Sequence, residues 1–500
     1  MHPKKTSENR SASDTAVISL CGRFLTFIGR TMYIGRYGTA NPLLNAFTFA
    51  LNVPNVIFAV LGTALGTVMI PIYSSLLANE KRDEAKKFID NIISISIVLL
   101  GFLVLAGVLA APWISRLVEG GQFTDRGYLT FALRVLMPMM IFFGFGAIFQ
   151  GLLQSHGIFR LPAFVSAPGG IILILYLVFL GDKLGVTGLI FATALGVLTQ
   201  PLIMLPAVKR LGYRYKFTLD LKDKNIRAAA RLCVPVLITV ASYQLHFLFG
   251  HSMALRFNTT AIMDYAQQLV QVFILTLVYA IAMVYLPKLS GLWAKSDTQG
   301  YNESLKNALL FTFFLVLPAA LGFFLMRFEI MALLLSRRDS QNAHSIELAG
   351  NLMGFYAIGV IATSFKEVAD RAFYSGKNSK TPAFFGVCIM VTNIAATLLL
   401  IPAIGAYAMP VAYGIAAFVG GGGLIFALNK RTGFVSLYFV LEMGKIGLAA
   451  SLMFLAAWLV RELSAHIPVL SLILPAIVGA AVYFGLAFML KISVLRGVLR

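Results

Sequence analysis

Positive charges in the first apolar segment are the residues whose types and spacing could do chemistry. Arg23, Arg30 and Arg36 interrupt a stretch that is otherwise mostly apolar. A charged side chain at the centre of a membrane helix costs about 2.5–3.5 kcal/mol on insertion scales, so it must face protein or water. Arg23 and Arg30 are seven positions apart and share one helix face at different depths. This spacing favours a cationic ladder for an anionic headgroup such as a phosphate, with Arg30 facing a cavity. The alternative is that Arg23 or Arg36 extends to the membrane surface.

Amide side chains surround a proline in the second apolar segment. Asn45, Asn52 and Asn55 lie near Pro54, which removes one helical hydrogen bond and frees a carbonyl about one turn back. A broken helix with polar groups at membrane depth typically lines a cavity. We therefore predict that these asparagines contact a polar headgroup, with interhelical hydrogen bonding as the alternative use of the same amides.

Polar residues also occur in the seventh and eighth apolar segments. His246 could carry a proton and Asp264 could bind a coupling ion, whereas Gln267 and Gln268 could line the headgroup site. A single membrane histidine can equally be packed and hydrogen-bonded without transferring protons. The sequence contains no His-Glu-x-x-His motif, no Walker loop and no metal-ligand spacing among its three cysteines. We therefore expect a transporter without a metal or cofactor, and not an enzyme.

Opposite charges end the tenth apolar segment. Lys366 and Asp370 are four positions apart, as are Glu367 and Arg371. The two opposite charges of each pair therefore lie on one helix face, where they can neutralise each other. These pairs predict a structural role near the cytoplasmic surface, with a gate that opens during transport as the alternative.

The composition is that of a polytopic helical membrane protein. Hydrophobic residues make up 59% of the 500 residues and charged residues only 12%, and segments of about 20 apolar residues recur along the whole chain. The formal net charge of +20 is explained by basic residues in cytoplasmic loops, so no nucleic-acid partner is expected. The same asymmetry predicts that both termini are cytoplasmic. We count 14 spans, at residues 15–37, 42–77, 88–115, 127–154, 160–181, 185–208, 227–252, 261–287, 303–334, 346–375, 380–402, 406–429, 435–460 and 466–490.

A repeated helix corner organises these spans. Pro162 and Pro382 lie 220 positions apart in similar pentapeptides, and Pro71 and Pro287 lie 216 positions apart. Two fused copies of one six-helix unit are the simplest cause, and fused membrane repeats are common in transporters. The predicted organisation is a cytoplasmic tail at 1–14, an N-lobe at 15–208, a cytoplasmic linker at 209–226, a C-lobe at 227–429, and two further helices with a cytoplasmic tail at 430–500.

Three sequence runs carry a resemblance to a known family. The run from Lys366 to Pro382, the run Asn45-Ala-Phe through Pro54-Asn55, and Arg23-Phe-Leu followed by Arg30 resemble the MurJ (MviN) lipid II flippases of the multidrug/oligosaccharidyl-lipid/polysaccharide superfamily. The resemblance covers essentially the whole chain, including the two extra C-terminal spans.

The resemblance implies a V-shaped transporter in the bacterial inner membrane. It implies alternating-access transport of undecaprenyl-diphosphate-linked peptidoglycan precursor, driven by the membrane potential or an H⁺ or Na⁺ gradient. The last two helices are then a groove for the lipid tail. The partners expected on this basis are membrane lipids and the cell-wall synthesis machinery, and the chain is expected to be a monomer.

Several positions depart from the family pattern. The residues after Pro54-Asn55 lack the usual arginine, Asn45 replaces an acidic residue, and Gln267-Gln268 replace an Asp-Arg pair. A flippase for another polyprenyl-linked polysaccharide or glycolipid is therefore the first alternative. A multidrug antiporter and a non-transporting scaffold of the cell-wall machinery are the others.

Overall fold

The computed structural model describes residues 18, 21–22, 24–118, 125–213, 215–335, 343–376, 378–464 and 470–498. Every regular element within these ranges is a helix. Helix α1 covers residues 24–37. It is followed by α2 (Pro42–Ala78), α3 (Arg82–Val118), α4 (Arg126–Leu136), α5 (Met139–Ser155), α6 (Arg160–Phe164), α7 (Ser166–Phe179), α8 (Gly181–Arg210), α9 (Lys224–Arg256), α10 (Thr260–Val270), a π-helical turn (Gln271–Leu275), α11 (Thr276–Ala294), α12 (Thr298–Leu325), α13 (Arg327–Leu334), α14 (Ala343–Ser375), α15 (Lys380–Ile404), a 3₁₀ turn (Gly405–Tyr407), α16 (Ala408–Thr432), α17 (Leu437–Ser464), α18 (Leu470–Met489) and α19 (Ser493–Val498).

The all-helical membrane fold predicted from composition is confirmed. Among the described residues, 11 segments are long and apolar enough to cross a membrane. One of them, Lys380–Thr432, contains the two helices α15 and α16. The predicted span 227–252 falls on α9, and the part of the predicted span 15–37 that the structure describes as a continuous run, 24–37, falls on α1. The protein is therefore a multi-pass membrane protein whose helices match the predicted spans, and the predicted tail 1–14 lies outside the described residues.

The repeated corner is built from the first turns of two helices. Pro162 is the third residue of α6, and Pro382 is the third residue of α15. The first backbone N–H groups of a helix have no intrahelical partner, so a proline there loses no hydrogen bond. The same local solution, 220 positions apart, agrees with the predicted duplication.

The described residues group into two compact units, Met1–Ala261 and Ile262–Arg500. In the first unit, α2 packs against α4, α5 and α9, while α8 packs against α5 and α7. The sequence repeat assigns α9 to the C-lobe, whereas α9 packs within the first unit. A boundary defined by a sequence repeat need not coincide with one defined by packing, so the division into an N-lobe and a C-lobe stays a prediction.

The connection from α8 to α9 is held along α3 by buried polar side chains. Asp90 Oδ1 accepts hydrogen bonds from the Tyr213 hydroxyl at 2.5 Å and from the Lys216 backbone N–H at 3.2 Å. Asn91 exchanges two hydrogen bonds with the Asp220 backbone, at 2.7 and 3.0 Å. Ser94 Oγ accepts from the Thr218 N–H at 3.0 Å. The extended backbone thus satisfies its donors against one face of α3.

In the second unit, α14 packs against α12 and α16, and the pair α17–α18 packs against α12. The Tyr483 hydroxyl donates to the Phe314 carbonyl at 2.7 Å, which joins α18 to α12 through a buried contact. Glu442 pairs with Lys445 at 2.6 Å and accepts from the Ser493 N–H at 2.8 Å, which anchors α19. The two C-terminal helices are therefore integral to this unit.

Candidate substrate-binding cavity

A cavity of about 230 Å³ lies inside the first unit, between α1, α2, α5, α7 and α8. Within the described part of the chain, its one charged lining residue is Arg30, and Asn55 and Gln200 supply amides. A cavity with a cation and no carboxylate among its described lining residues suits an anionic ligand. Its lining also includes Thr26, Tyr33, Phe47, Leu51, Met139, Phe143, Ser166, Gly169, Leu173, Thr193, Gly196 and Val197.

Close approach of three helices shapes this cavity. A Cβ atom on Gly170 of α7 would lie 2.9 Å from backbone atoms of Leu25 and Thr26 in α1. A Cβ atom on Gly196 of α8 would lie 3.0 Å from the Cα of Gly169. Such contacts are possible only where one partner lacks a side chain. The glycines therefore bring α1, α7 and α8 together and place Arg30 beside the cavity.

Two of the predicted headgroup residues lie together. Arg30 and Asn55 come from different helices and line the same cavity. The Asn55 Nδ2 donates to the Leu51 carbonyl at 2.9 Å, one turn earlier in α2. This local hydrogen bond near Pro54 fixes the amide, and within the described part of the chain it leaves the Asn55 oxygen for a ligand. Asn52 is buried three positions before Asn55 and is not a lining residue.

Asn45 is committed to backbone groups. Its Nδ2 donates to the Thr39 carbonyl at 2.9 Å and to the Asn41 carbonyl at 3.0 Å, and its Oδ1 accepts from the Ala261 N–H at 2.7 Å. Both amide hydrogens are therefore used on the chain just before α2, and the oxygen forms an interhelical hydrogen bond to α10, of the kind that the alternative predicted. A headgroup role for Asn45 stays an untested prediction.

The other arginines of the first segment have different positions. Arg36 pairs with Asp182 at 2.6 Å and donates to the Leu177 carbonyl, which fastens the end of α1 to the turn between α7 and α8. The structure thus pairs Arg36 with a carboxylate of the protein. Arg23 lies outside the described residues, so its predicted headgroup role stays a prediction.

His246 is packed within the first unit. Its ring lies edge-on to Tyr243 with centroids 5.0 Å apart, and its Nδ1 lies 3.2 Å from the Ser242 carbonyl oxygen. This is the packed, hydrogen-bonded arrangement that the sequence offered as the alternative to proton transfer. Asp264, Gln267 and Gln268 lie on α10 in the second unit, where Gln267 is buried. Their proposed ion and headgroup roles stay predictions.

One of the two predicted ion pairs of α14 is present. Lys366 Nζ lies 2.6 Å from Asp370 Oδ2 and 3.8 Å from Glu367 Oε1. Within the described part of the chain Glu367 forms its ion pair with Lys366 and not with Arg371. Burial leaves Asp370 Oδ1 and Arg371 Nε without a hydrogen-bond partner among those residues. The cluster is therefore a partly satisfied buried network.

Two polar features were not predicted from the sequence. Gln200 lines the cavity from α8, where it stands next to Pro201 in an otherwise apolar run; the isolated amide was a usable signal. Glu329 and Arg461 form an ion pair at 2.6 Å between α13 and α17. Their separation in sequence gave no indication of this contact.

The comparisons with known proteins agree on one group of membrane proteins. The family model described as lipid II flippase MurJ matches residues 35–479. A lipid II flippase MurJ of Burkholderia cenocepacia is 24% identical over 419 residues, covering 81% of each chain. A probable lipid II flippase MurJ of Rhizobium meliloti is 25% identical over 512 aligned positions, covering 96% of this chain and 95% of the relative.

Solved structures show the same fold. A lipid II flippase MurJ in an inward closed conformation matches with a TM-score of 0.80 at 18% identity, covering 97% of this chain and 99% of the other. An inward-facing multidrug resistance MATE family transporter of the MOP superfamily matches with a TM-score of 0.66 at 15% identity, covering 82% and 94%. The match to the MurJ structure extends over nearly the whole of both chains, including α17 and α18.

Proposed function

Because the chain belongs to the lipid II flippase MurJ family, we propose that it translocates lipid II, the undecaprenyl-diphosphate-linked peptidoglycan precursor, across the bacterial inner membrane. The activity is transport and involves no covalent chemistry. Alternating access exposes the binding site first to the cytoplasm and then to the periplasm.

One observation carries the headgroup assignment: Arg30 lines a cavity with Asn55 and Gln200 and with no carboxylate among its described lining residues. A guanidinium can bind a phosphate through two parallel hydrogen bonds, and amides can bind sugar hydroxyls. A volume of about 230 Å³ accommodates part of the headgroup, and we assign that part to the diphosphate.

The lipid tail is assigned to the C-terminal helices. An apolar crevice of about 320 Å³ in the second unit lies between α12 and the pair α17–α18, with Phe314, Met453 and Tyr483 in its lining. Such a surface favours a polyprenyl chain over water because apolar burial contributes about 25 cal/mol per Å². This supports the predicted role of segment 430–500 as a tail groove.

The remaining assignments follow from the same proposal. We place both termini in the cytoplasm and treat the chain as a monomer that contacts the cell-wall synthesis machinery. The membrane potential or an H⁺ or Na⁺ gradient drives the cycle, with His246 and Asp264 as candidate coupling residues. A flippase for another polyprenyl-linked glycan is the second candidate, because the family's charged pair is replaced by Gln267 and Gln268.

Complementation tests the cargo directly. The resident lipid II flippase of a tractable bacterium is depleted while this chain is expressed, and surface-exposed lipid II is measured together with growth. We expect rescue by the wild-type chain and none by an empty vector. If membrane fractions contain normal amounts of the protein but surface lipid II stays absent, lipid II is not the cargo in that host and the second candidate is favoured.

A further inference from the structure

A second cationic cavity, separate from the one at Arg30, lies where the connection between α8 and α9 begins. Its volume is about 510 Å³, and its lining includes Arg82, Lys86, His156 and Tyr73. Arg82 and Lys86 are four positions apart at the start of α3, so both side chains lie on one helix face. His156 follows the last residue of α5. Two cations, and an imidazole that donates to an anion when it is protonated, therefore converge at the ends of two helices.

The cations of this cavity are not neutralised by the protein. Among the described residues, neither Arg82 nor Lys86 forms an ion pair with a carboxylate, and the lining contains no acidic side chain. The neighbouring Lys87 differs, because it pairs with Asp220 at 3.0 Å and with Asp223 at 3.7 Å. The His156 Nδ1 lies 2.9 Å from the Leu152 carbonyl oxygen and must carry a hydrogen to donate to it. Nε2 is therefore the ring nitrogen left for a ligand, and it donates to an anion only in the imidazolium form.

An apolar cavity adjoins the cationic one. Its volume is about 790 Å³, and Gly212 and Tyr213 line both cavities. The rest of its lining is mainly hydrophobic, with Ile93, Ile97, Phe145, Phe149 and Leu205. A free inorganic anion would leave this space unfilled. The pair of cavities is shaped for a molecule with an anionic end and a hydrocarbon end.

The dimensions agree with those of a membrane lipid. Ile93 and Ile97 lie 11 and 15 residues beyond Arg82 along α3, or about 17–22 Å at about 1.5 Å per residue. Half the hydrocarbon thickness of a bilayer is about 15 Å. On the connection itself, Phe217 and Leu221 are 62% and 64% exposed, and each has one lysine beside it in the sequence. Exposed apolar side chains among lysines are typical of a segment lying at a membrane surface.

We propose that these two cavities bind one anionic phospholipid of the surrounding leaflet. Its phosphate contacts Arg82, Lys86 and His156, and one acyl chain fills the apolar cavity. Tyr213, which lines both cavities and is hydrogen-bonded to Asp90, lies where headgroup and chain meet. The bound lipid fills the space between α3, α5 and the connection. This binding is independent of the cargo carried at Arg30.

The test uses the full-length protein reconstituted in phosphatidylcholine nanodiscs with a minor fraction of phosphatidylglycerol bearing a photoreactive acyl chain. After irradiation, mass spectrometry identifies the labelled peptides. We expect labels on α3, α5 and α8 around Ile97, Phe149 and Leu205. The double variant Arg82→Gln/Lys86→Gln should label at least about tenfold less, because each lost charged contact is worth about tenfold or more. The matched control Lys216→Gln/Lys222→Gln removes the same charge outside the cavity and should label normally.

Four results would overturn the proposal. The first is equal labelling of the double variant and the control variant, and the second is labelling confined to other peptides. The third is equal labelling by a phosphatidylcholine probe, since a zwitterionic lipid carries no net charge. The fourth is competition by millimolar inorganic phosphate, which would indicate a site for a free anion. Should the double variant misfold, Phe149→Leu in the wild-type background must still shift the label pattern within the apolar cavity.

Discussion

The Tyr213 hydroxyl donates a hydrogen bond to the Asp90 carboxylate at 2.5 Å, and this contact fastens the connection between α8 and α9 to the buried face of α3. The same carboxylate oxygen accepts the Lys216 N–H. Asp90 is therefore one of three anchors of the connection, with Asn91 and Ser94, and its loss leaves two donors unsatisfied at once.

We expect Asp90→Ala to release this connection. Leaving buried donors unsatisfied costs about 1–3 kcal/mol per group. Trypsin should then cleave the folded protein at Lys216 or Lys222 much faster than it cleaves wild type, as measured by gel and mass spectrometry. Asp83→Ala, at an exposed position of the same helix, is the control and should leave the rate unchanged. Equal cleavage of both variants would show that Asp90 does not anchor the segment.

The ionisation of the Tyr213 phenol provides a second test of its hydrogen bond to Asp90. Burial, and then the hydrogen bond to Asp90, raise the pKa of its phenol above the ordinary value of 10.0. Since the folded-state pKa is the raised one, the contact is fully present below pH 10.0 and is lost as the pH rises through the folded pKa. An absorbance titration of wild type minus Tyr213→Phe should show one phenol titrating above this ordinary value. A difference curve centred at or below that value contradicts the assignment.

Arg30→Ala should abolish transport while the protein still reaches the membrane. Removing a charged hydrogen-bonding group loses about 1.5–3 kcal/mol of binding, or about tenfold or more in affinity. Arg30→Lys keeps the charge but not the two parallel hydrogen bonds and should be intermediate. Complementation and surface lipid II report the effect. Arg160→Ala, at an exposed helix start, is the control; normal function of Arg30→Ala would remove Arg30 from the mechanism.

Gly170→Ala should separate α1 from α7. The added Cβ would lie 2.9 Å from backbone atoms of Leu25 and Thr26, and overpacking of this kind costs about 1–3 kcal/mol. We expect a lower melting temperature and a loss of transport through distortion of the Arg30 cavity. Gly101→Ala is matched, because nothing lies within 4 Å of its Cβ, and it should be neutral or slightly stabilising. Similar melting temperatures for the two variants would exclude tight packing at Gly170.

The Lys366–Asp370 pair allows its two predicted roles to be separated. Removing one partner of a buried pair costs about 3–5 kcal/mol, whereas replacing both by apolar residues is often neutral. Asp370→Leu should therefore lower the melting temperature strongly. The triple variant Lys366→Met/Glu367→Gln/Asp370→Leu also neutralises the carboxylate that pairs with Lys366 and should restore the melting temperature. If the restored triple variant transports normally, the pair is structural. If it is stable but inactive, the pair is part of a gate.

The sequence by itself determined where the helices lie, and the tertiary structure decided what their polar residues contact. Long apolar runs specify membrane helices locally, so predicted spans and the corners at Pro162 and Pro382 coincide with helices in the structure. The Lys366–Asp370 pair is equally local, because residues four apart on a helix are neighbours. The different surroundings of Arg30 and Arg36 could not be predicted from such local patterns. Arg30 lines a cavity and Arg36 pairs with Asp182, because packing at Gly170 and Gly196 fixes which helices meet, and that packing joins residues far apart in the chain.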